Sequence, residues 1–515
     1  MYKIRHSLSL LVAFLVPVTT VFPGDMPLTN FDGFVTRCLE DFQVPGISIA
    51  IVKDDSIRFI GSYGVREIGK NDAVDSQTLF AIGSISKSTV SMSLAMLHEE
   101  KKLNWDDPVI KYLPGFRMYD SYVTEQMTIR DLLTHRSGLP GVSGGTIWYA
   151  SDYTRSEVIE RIRYLEPATS FRSRYAYQNI MYLVAGEIIP TVAGRTWDDF
   201  IRERIFTPLG MDRTVSRMED MLHTENVATP HAVINGKLFP IAHRDYDNLG
   251  PAASIYSNVE DMARYVRLLL NQGEYAGQRL YSEESASEMW SSQTVIPFSP
   301  YGEDFKPMEP HFFTYGFGWF LRDYQGHYLV THSGGVDGFR ALVTMIPEKK
   351  LGIIVLTNQD EYRIYNVITY TILDKLLDLP YHDWRAVYVK ARQSSLKSQN
   401  EKQKEIEAAR RKKTKPSLPL SDYAGDYNDP MYGKISVDLT GGKLVLRFSH
   451  TPSFTGELEH WHYDTFRIHW DDPMVPDGFV TFPLDSQSKI TGMNLDQPDL
   501  LDVDFRELHI TRIAK

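Results

Sequence analysis

The sequence predicts an α/β (α+β) fold: one antiparallel sheet flanked by helices, an all-helical subdomain, then a small all-β domain. Three observations predict it. Strand-like runs lie before Gly64 and after Gly316, with helical periodicity between them. A basic stretch poor in aliphatic residues then interrupts the chain. Beyond Leu418, apolar and polar residues alternate between turns, the period of half-buried strands.

Taken in order, Asn30 to Phe42 has apolar residues at helical spacing, with Thr29 or Asn30 placed to cap it. Ile47 to Val52 and Ile57 to Gly64 are predicted strands joined by a turn at Asp54-Asp55. A strand or turn ending at Gly83 leads into a helix that starts at Ser84. Leu103 to Leu113 and Thr128 to Leu133 read as loops with short helices. Amphipathic helices follow at Arg155 to Leu165, Asn179 to Ala193, Trp197 to Phe206 and Val259 to Leu270. Strands return at Gly316 to Arg322, Tyr328 to His332, Phe339 to Ile346 and Leu351 to Thr357. The last two are joined by a turn at Pro347-Glu348-Lys349-Lys350. A final helix covers about Ile364 to Leu377. Lys397 to Lys415 holds eight basic and three acidic residues, a solvated linker or exposed helix. Strands are then expected at Ile435 to Leu439, Lys443 to Phe448, Thr465 to Trp470, Phe479 to Phe482 and Ile490 to Leu495, forming a sandwich or barrel. The expected organisation is a signal segment over 1–24, a main domain over 25–388, a charged linker over 389–417 and the all-β domain over 418–515.

The 515 residues exceed one simple core. With 43% apolar and 23% charged residues the composition is ordinary for a globular protein, and the net charge of −11 argues against a nucleic-acid partner. Lys3 and Arg5 precede an apolar run from Leu8 to Val18, which Pro17 and Pro23-Gly24 break. That pattern predicts a signal peptide and a secreted or periplasmic protein; an uncleaved anchor is the alternative. The run is short for a membrane span, and none is expected after its removal. Cys38 is the only cysteine, which excludes an intramolecular disulfide; it reads as a small buried hydrophobe. His460-Trp461-His462 with His469 reads as a strand surface, because no acidic ligand completes a metal set at typical spacing. Asp496 to Asp504 reads as a solvated loop and strand.

The stretch that carries chemistry is Phe80 to Leu97. Residues three apart on a helix share a face, so Ser84 and Lys87 point the same way. The free N–H groups and positive dipole of the first turn would stabilise an alkoxide or bound oxyanion. Ser-x-x-Lys occurs three times, at Ser84, Ser394 and Ser486, and only Lys87 lies within an apolar run. Burial matters because a lysine that accepts a proton at neutral pH must shift by roughly three units, about 4 kcal/mol. A helix-capping serine with a snorkelling lysine is the plain alternative.

Two further motifs join it. Tyr177 and Asn179 end a polar loop just before a helix. A phenol there could relay protons if a neighbouring cation lowers its pKa, and Asn179 could hold a substrate amide or orient the lysine. Tyr246-Asp247-Asn248 repeats the pattern, but its acidic neighbours make it read as a polar loop. His332 ends a predicted strand and is followed by Gly334 and Gly335, glycines that let a substrate approach the backbone closely. The N–H of Gly335 could join that of Ser84 as an oxyanion hole.

Ser84-x-x-Lys87, Tyr177-x-Asn179 and His332-x-Gly334, in that order and spacing, resemble the serine β-lactamase / penicillin-binding protein superfamily, in its class C-like branch. Leu132-Leu133-Thr134-His135-Arg136-Ser137-Gly138-Leu139-Pro140 and Val44-Pro45-Gly46 look like stretches typical of that branch. The resemblance covers about residues 30 to 385. It implies a β-lactamase/transpeptidase-like fold, an acylated Ser84, Lys87 as main proton acceptor, Tyr177 sharing the proton traffic, and Asn179, His332, Gly334 and Gly335 on substrate. It implies no cofactor and no metal. Histidine stands where the lactamase pattern has lysine. This resembles D-aminopeptidases, D-alanyl-D-alanine carboxypeptidases and esterases, and argues against efficient lactam hydrolysis. The C-terminal segment, with Tyr423-Ala424-Gly425-Asp426-Tyr427 and Tyr432-Gly433, resembles the small β-barrel-like domain appended to some of these hydrolases, which implies that it covers or completes the site.

The expected function is therefore a serine hydrolase acting through an acyl-enzyme on D-amino-acid-containing peptides or small esters. Its partner is a small-molecule or peptide substrate, and an oligomer is compatible with the sequence. The alternatives are a non-catalytic penicillin-binding or ligand-binding protein on the same fold, a weak class C-like β-lactamase, or an unrelated hydrolase using His135 as triad base. The loops near Tyr301 to Phe313, with the C-terminal domain, are expected to shape the pocket.

Overall fold

The computed structural model of the protein describes residues 30–497, 500 and 502–513. The expected signal segment lies outside these described residues. Helix α1 (Phe31–Phe42) buries Phe31, Val35, Cys38 and Phe42, one face at helical spacing. Strands β1 (Gly46–Lys53) and β2 (Ser56–Gly64) form a hairpin whose turn residues Asp54 and Asp55 both have positive φ, as a tight hairpin turn requires. The helical part follows, with α2 (Lys87–Glu99), α3 (Asn179–Ala193) and α4 (Val259–Leu270) as its longer members. Strands β3 (Thr294–Val295), β4 (Phe313–Tyr315), β5 (Phe320–Tyr324), β6 (His327–Val336), β7 (Phe339–Ile346) and β8 (Leu351–Thr357) and helix α5 (Arg363–Leu376) complete the main domain.

The sheet is antiparallel in the order β2-β1-β8-β7-β6-β5-β4-β3. Its first two strands join the last, from Ile47 opposite Thr357 to Lys53 opposite Leu351. The central strands β1 and β8 are covered on both faces. Side chains alternate across a strand, so Ala50 and Val52 join the core with α2, α3 and α4. Ile49 and Ile51 join the core with α1 and α5.

Several elements differ from expectation. Gly83–Ser86 is a 3₁₀ turn, and the α-helix begins at Lys87. The strand expected from Gly316 begins at Phe320. Gly318 (φ 78°) instead holds a loop against α2, where a Cβ would lie 3.1 Å from the Ser88 Cα. The helix expected over Trp197 to Phe206 relaxes into a π turn from Arg202. The charged stretch, expected as a linker or an exposed helix, is an exposed helix as far as Ala409, α6 (Trp384–Ala409), anchored by buried Trp384 and Tyr388; residues 410–415 lie beyond it.

The C-terminal domain has strands β9 (Gly425–Asp429), β10 (Gly433–Thr440), β11 (Lys443–Phe448), β12 (Thr451–His462), β13 (Thr465–Trp470), β14 (Gly478–Thr481), β15 (Asn494–Asp496) and β16 (Thr511–Arg512). They form one antiparallel sheet, β15-β14-β13-β12-β11-β10-β9-β16. Arg512 N–H donates to the Thr491 carbonyl at 2.9 Å and Met493 N–H to that of Ile510 at 3.3 Å, so the two ends meet and the sheet closes as a barrel. The barrel docks beside the helical part. Tyr149 stacks on Phe454 at 5.8 Å between ring centroids. Arg244 joins Asp337 of the main domain to Asp472 of the barrel, at 2.5 and 3.0 Å.

Candidate active site

The 3₁₀ turn sets the first pair of groups. In a 3₁₀ turn residues i and i+3 eclipse, so Ser84 stands directly over Lys87. Lys87 Nζ lies 2.9 Å from Ser84 Oγ, 2.7 Å from Asn179 Oδ1 and 3.1 Å from the Ala252 carbonyl. Helix α2 is buried from Lys87 to Leu97 because it runs through the core, and Lys87 has no exposed surface. Desolvation pulls its pKa down to about 7, against the charge of Asp502, which pulls it up. The polar side chains of this buried helix are satisfied within it: Ser88 donates to Ile85, Thr89 to Ser86 and Ser93 to Thr89 carbonyls.

The glycines bring β6 onto the Ser84 turn. A Cβ at Gly334 would lie 1.8 Å from the Ile82 carbonyl, and one at Gly83 (φ 50°) would lie 2.6 Å from the Gly335 nitrogen. The close approach at Gly334 is therefore made by the protein's own backbone, not by a ligand. Its result is to bring the Gly335 backbone against the Ser84 turn.

Tyr177 lies beside the Ser84 hydroxyl. Lys87 Nζ lies 4.9 Å from the centre of its ring. The phenol pKa is not lowered but well above its usual value, because desolvation outweighs the opposing influence of Ser84. Tyr177 is a neutral phenol here. His135 fixes its loop: the Gln178 N–H donates to His135 Nδ1 at 3.0 Å, and the Ala176 N–H donates to the His135 carbonyl at 2.8 Å. His135 packs on Tyr177 at 4.3 Å and burial drives its pKa well below normal. Its bonds go to the Tyr177 loop rather than to Ser84. His332 is buried, with Nε2 3.0 Å from the Tyr315 hydroxyl and Nδ1 2.6 Å from the Ser333 carbonyl. Desolvation lowers its pKa to about 3, so the ring is neutral and both nitrogens are engaged.

Three residues of the site escaped the sequence reading. A cavity of about 10 Å³ beside Ser84 and Asn179 is lined also by Tyr149, Tyr246 and Asp502. Tyr246 belongs to the second Tyr-x-Asn, read as a polar loop. It is instead buried, with its hydroxyl accepting from the Asp337 N–H at 3.3 Å. Asp502 was read as part of a solvated segment. Its carboxylate accepts from Asn179 Nδ2 at 2.8 Å and its pKa is raised, mainly by desolvation. Gly145 makes room for it: a Cβ there would lie 1.7 Å from the Asp502 carbonyl. No local pattern could have found Asp502, because only the docked barrel brings it to Asn179. Residues 301–313 do not line this cavity; Phe305 packs on Tyr388 of α6 at 5.1 Å.

A family model described as Beta-lactamase matches residues 31–376, and a second, described as a domain of unknown function (DUF3471), matches residues 409–512. The chain belongs to the β-lactamase family of serine hydrolases. Among relatives of this family member, an unguisins hydrolase from Aspergillus campestris is 27% identical over 434 residues, 80% of this chain and 78% of that protein. Protein flp of Staphylococcus aureus is 26% identical over 340 residues, 64% and 62% of the two chains. The octameric penicillin-binding protein homologue from Pyrococcus abyssi has a TM-score of 0.61 at 24% identity, over 92% of this chain and 98% of that one. A D-stereospecific amidohydrolase from Streptomyces sp. has a TM-score of 0.51 at 21% identity, over 64% and 94%. These two structures share the fold.

Proposed function

We propose that the protein is an exported serine hydrolase that cleaves peptides containing D-residues, or small esters, through an acyl-enzyme on Ser84. The surroundings of Lys87 carry this reading. A neutral amine has two N–H groups and one lone pair. Lys87 Nζ has two carbonyl oxygens to donate to, Asn179 Oδ1 and the Ala252 carbonyl, and one hydroxyl, Ser84, that can donate to it. This partner set suits a general base and leaves a third N–H of an ammonium with only the serine oxygen.

In the proposed cycle Ser84 Oγ gives its proton to Lys87 and attacks the substrate carbonyl carbon. The resulting oxyanion is held by the N–H groups of Ser84 and Gly335. The neutral Tyr177 phenol protonates the leaving amine and takes back the proton that Lys87 received from Ser84, which leaves both groups neutral in the acyl-enzyme. Water then adds to the acyl carbon, gives a proton to the same base, and the acid leaves as Ser84 regains its hydrogen. Similarity to an unguisins hydrolase supports a hydrolase.

The test is covalent labelling by a fluorophosphonate, with intact-mass detection, in the full chain and in Ser84→Ala. Labelling lost in the variant is expected, with turnover of D-aminoacyl amides, D-Ala-D-Ala peptides or p-nitrophenyl esters. Equal labelling of the variant would overturn the assignment of Ser84.

A further inference from the structure

We infer that the turn between α6 and the barrel, residues 410–415, is a docking surface for an anionic phospholipid membrane, which holds the protein by charge at the headgroup plane. The inference is independent of the hydrolase reading above. The chain carries a net charge of −11, yet Arg410, Arg411, Lys412, Lys413 and Lys415 place five cations within six residues. The turn is built into the fold. Arg410 donates to the carbonyls of His460 and Trp461 at 2.8 and 3.1 Å, and its guanidinium lies 4.5 Å from the centre of the Trp461 ring. The Arg411 N–H donates to His462 Nδ1 at 3.3 Å, the Tyr463 N–H to the Thr414 hydroxyl at 3.2 Å, and the Ser417 N–H to the Asp464 carboxylate at 2.9 Å. These bonds pin the segment along the β12–β13 hairpin, so its charges are presented without the ordering cost of a free tail.

The five cations divide into one that holds the turn and four that are available. Arg410 is spent on the two carbonyls and lies 3.6 Å from Glu459. Arg411, Lys412, Lys413 and Lys415 are exposed, and among the described residues no carboxylate lies within ion-pair distance of them. Two exposed lysines elsewhere on the barrel are paired, Lys434 with Asp426 at 3.0 Å and Lys443 with Glu457 at 2.8 Å. Four free cations around one turn suit a plane of many phosphates better than a single ion. The hollow lined by Arg411, Lys412, Lys413 and His460 measures about 220 Å³, and its exposed cations stay hydrated rather than enclosing one anion. Tyr463, 58% exposed at the tip of the same hairpin, adds a ring with an apolar body and a polar end, the kind that settles at headgroup level. A long nucleic acid would have to run on across an acidic chain, whereas a headgroup plane meets one face.

The test is co-sedimentation of the full-length chain with vesicles of phosphatidylcholine alone or mixed with phosphatidylglycerol. Uptake by the neutral vesicles measures the apolar run from Leu8 to Val18, so the excess on the mixed vesicles measures the patch. That excess should be present at low salt and fall as sodium chloride is added. Arg411→Ser/Lys412→Ser/Lys413→Ser/Lys415→Ser should lower it by about 100- to 1,000-fold, four steps of roughly fivefold. Lys412→Arg/Lys413→Arg/Lys415→Arg, which keeps the charge, should bind as the parent does, and so should Lys434→Ser/Lys443→Ser. The serine variant should keep the parent Tm and Ser84 labelling, which separates lost docking from lost folding. Equal partition onto both kinds of vesicle, or an excess that the serine variant retains, overturns the inference. So does release from the mixed vesicles by inorganic phosphate at constant ionic strength, which would make the turn a single-anion site. Tighter binding of a DNA duplex than of mixed vesicles at the same salt also overturns it. Loss of Ser84 labelling in the parent would bear on the hydrolase reading alone, since sedimentation needs no turnover.

Discussion

At the scale of single residues, chemistry depends on Lys87 being neutral while touching a serine. Desolvation lowers its pKa to about 7, so the fraction of free base rises as pH rises through that value. The rate of Ser84 labelling by a fluorophosphonate should therefore climb between about pH 6 and 8 and then level off. Lys87→Met should cut labelling by about 100- to 10,000-fold, the range of general-base catalysis, and flatten that profile. Tyr177→Phe has a different signature. The phenol is neutral, so its proposed task is to protonate a leaving group rather than to remove a proton. Hydrolysis of an anilide should fall by about 100-fold or more, whereas a p-nitrophenyl ester, whose leaving group departs as a stable anion, should lose much less. A parallel loss on both substrates would contradict that division of labour. Ser84, Lys87, Tyr177 and Asn179 were legible in the sequence, because short fixed spacings place them on turns and helix starts. What the spacing left unread is the state of the phenol. That depends on how the His135, Phe320 and His332 rings pack around it.

At the scale of elements, the site is a contact between one turn and one strand. The Gly83–Ser86 turn and the Gly334–Gly335 edge of β6 touch backbone to backbone, which only residues without a Cβ allow. Gly334→Ala would drive a methyl into the Ile82 carbonyl at 1.8 Å, and the strand or the turn must shift. A loss of about 1–3 kcal/mol in stability is expected, as for overpacking, with a larger loss of labelling because Ser84 moves. Differential scanning fluorimetry alongside labelling checks both. The long strands and helices agree with the sequence where one face meets a core: α3 and α4 begin and end where periodicity places them. The departures fall where tertiary contact overrides pattern, as in the Gly316–Trp319 loop that packs on α2 instead of extending β5.

At the scale of the whole molecule, the barrel completes the main domain. Its 3₁₀ turn Phe505–Glu507 inserts Glu507 under the main domain, where the Gly144 N–H and the Thr146 hydroxyl donate to its carboxylate at 2.8 Å each. Desolvation lifts the Glu507 pKa to about 7, from an ordinary 4.5. A raised carboxyl pKa contributes stability that is fully present below the unfolded value and lost as pH rises through the folded one. The docked form should therefore weaken from about pH 4.5 to above pH 7, by at most about 3 kcal/mol. Glu507→Gln should flatten this part of the dependence of Tm on pH and raise Tm at pH 8. A variant whose Tm follows pH as the parent does would rule Glu507 out as its source. Arg244 holds the same interface through Asp337 and Asp472. Its loss leaves enclosed carboxylates unpaired, so Arg244→Ala should destabilise by about 3 kcal/mol or more, read as a fall in Tm.

The amino-acid order alone determined the two-part architecture, the Ser84–Lys87 pair and the glycines beside His332. Those follow from periodicity and from spacings of a few residues, which act locally. Tertiary structure alone decided that Asp502, Tyr149 and Tyr246 share one chamber with the nucleophile, and that His332 is a neutral, fully bonded ring. Burial sets whether a group carries charge, and burial is a property of what packs around a residue after distant segments meet.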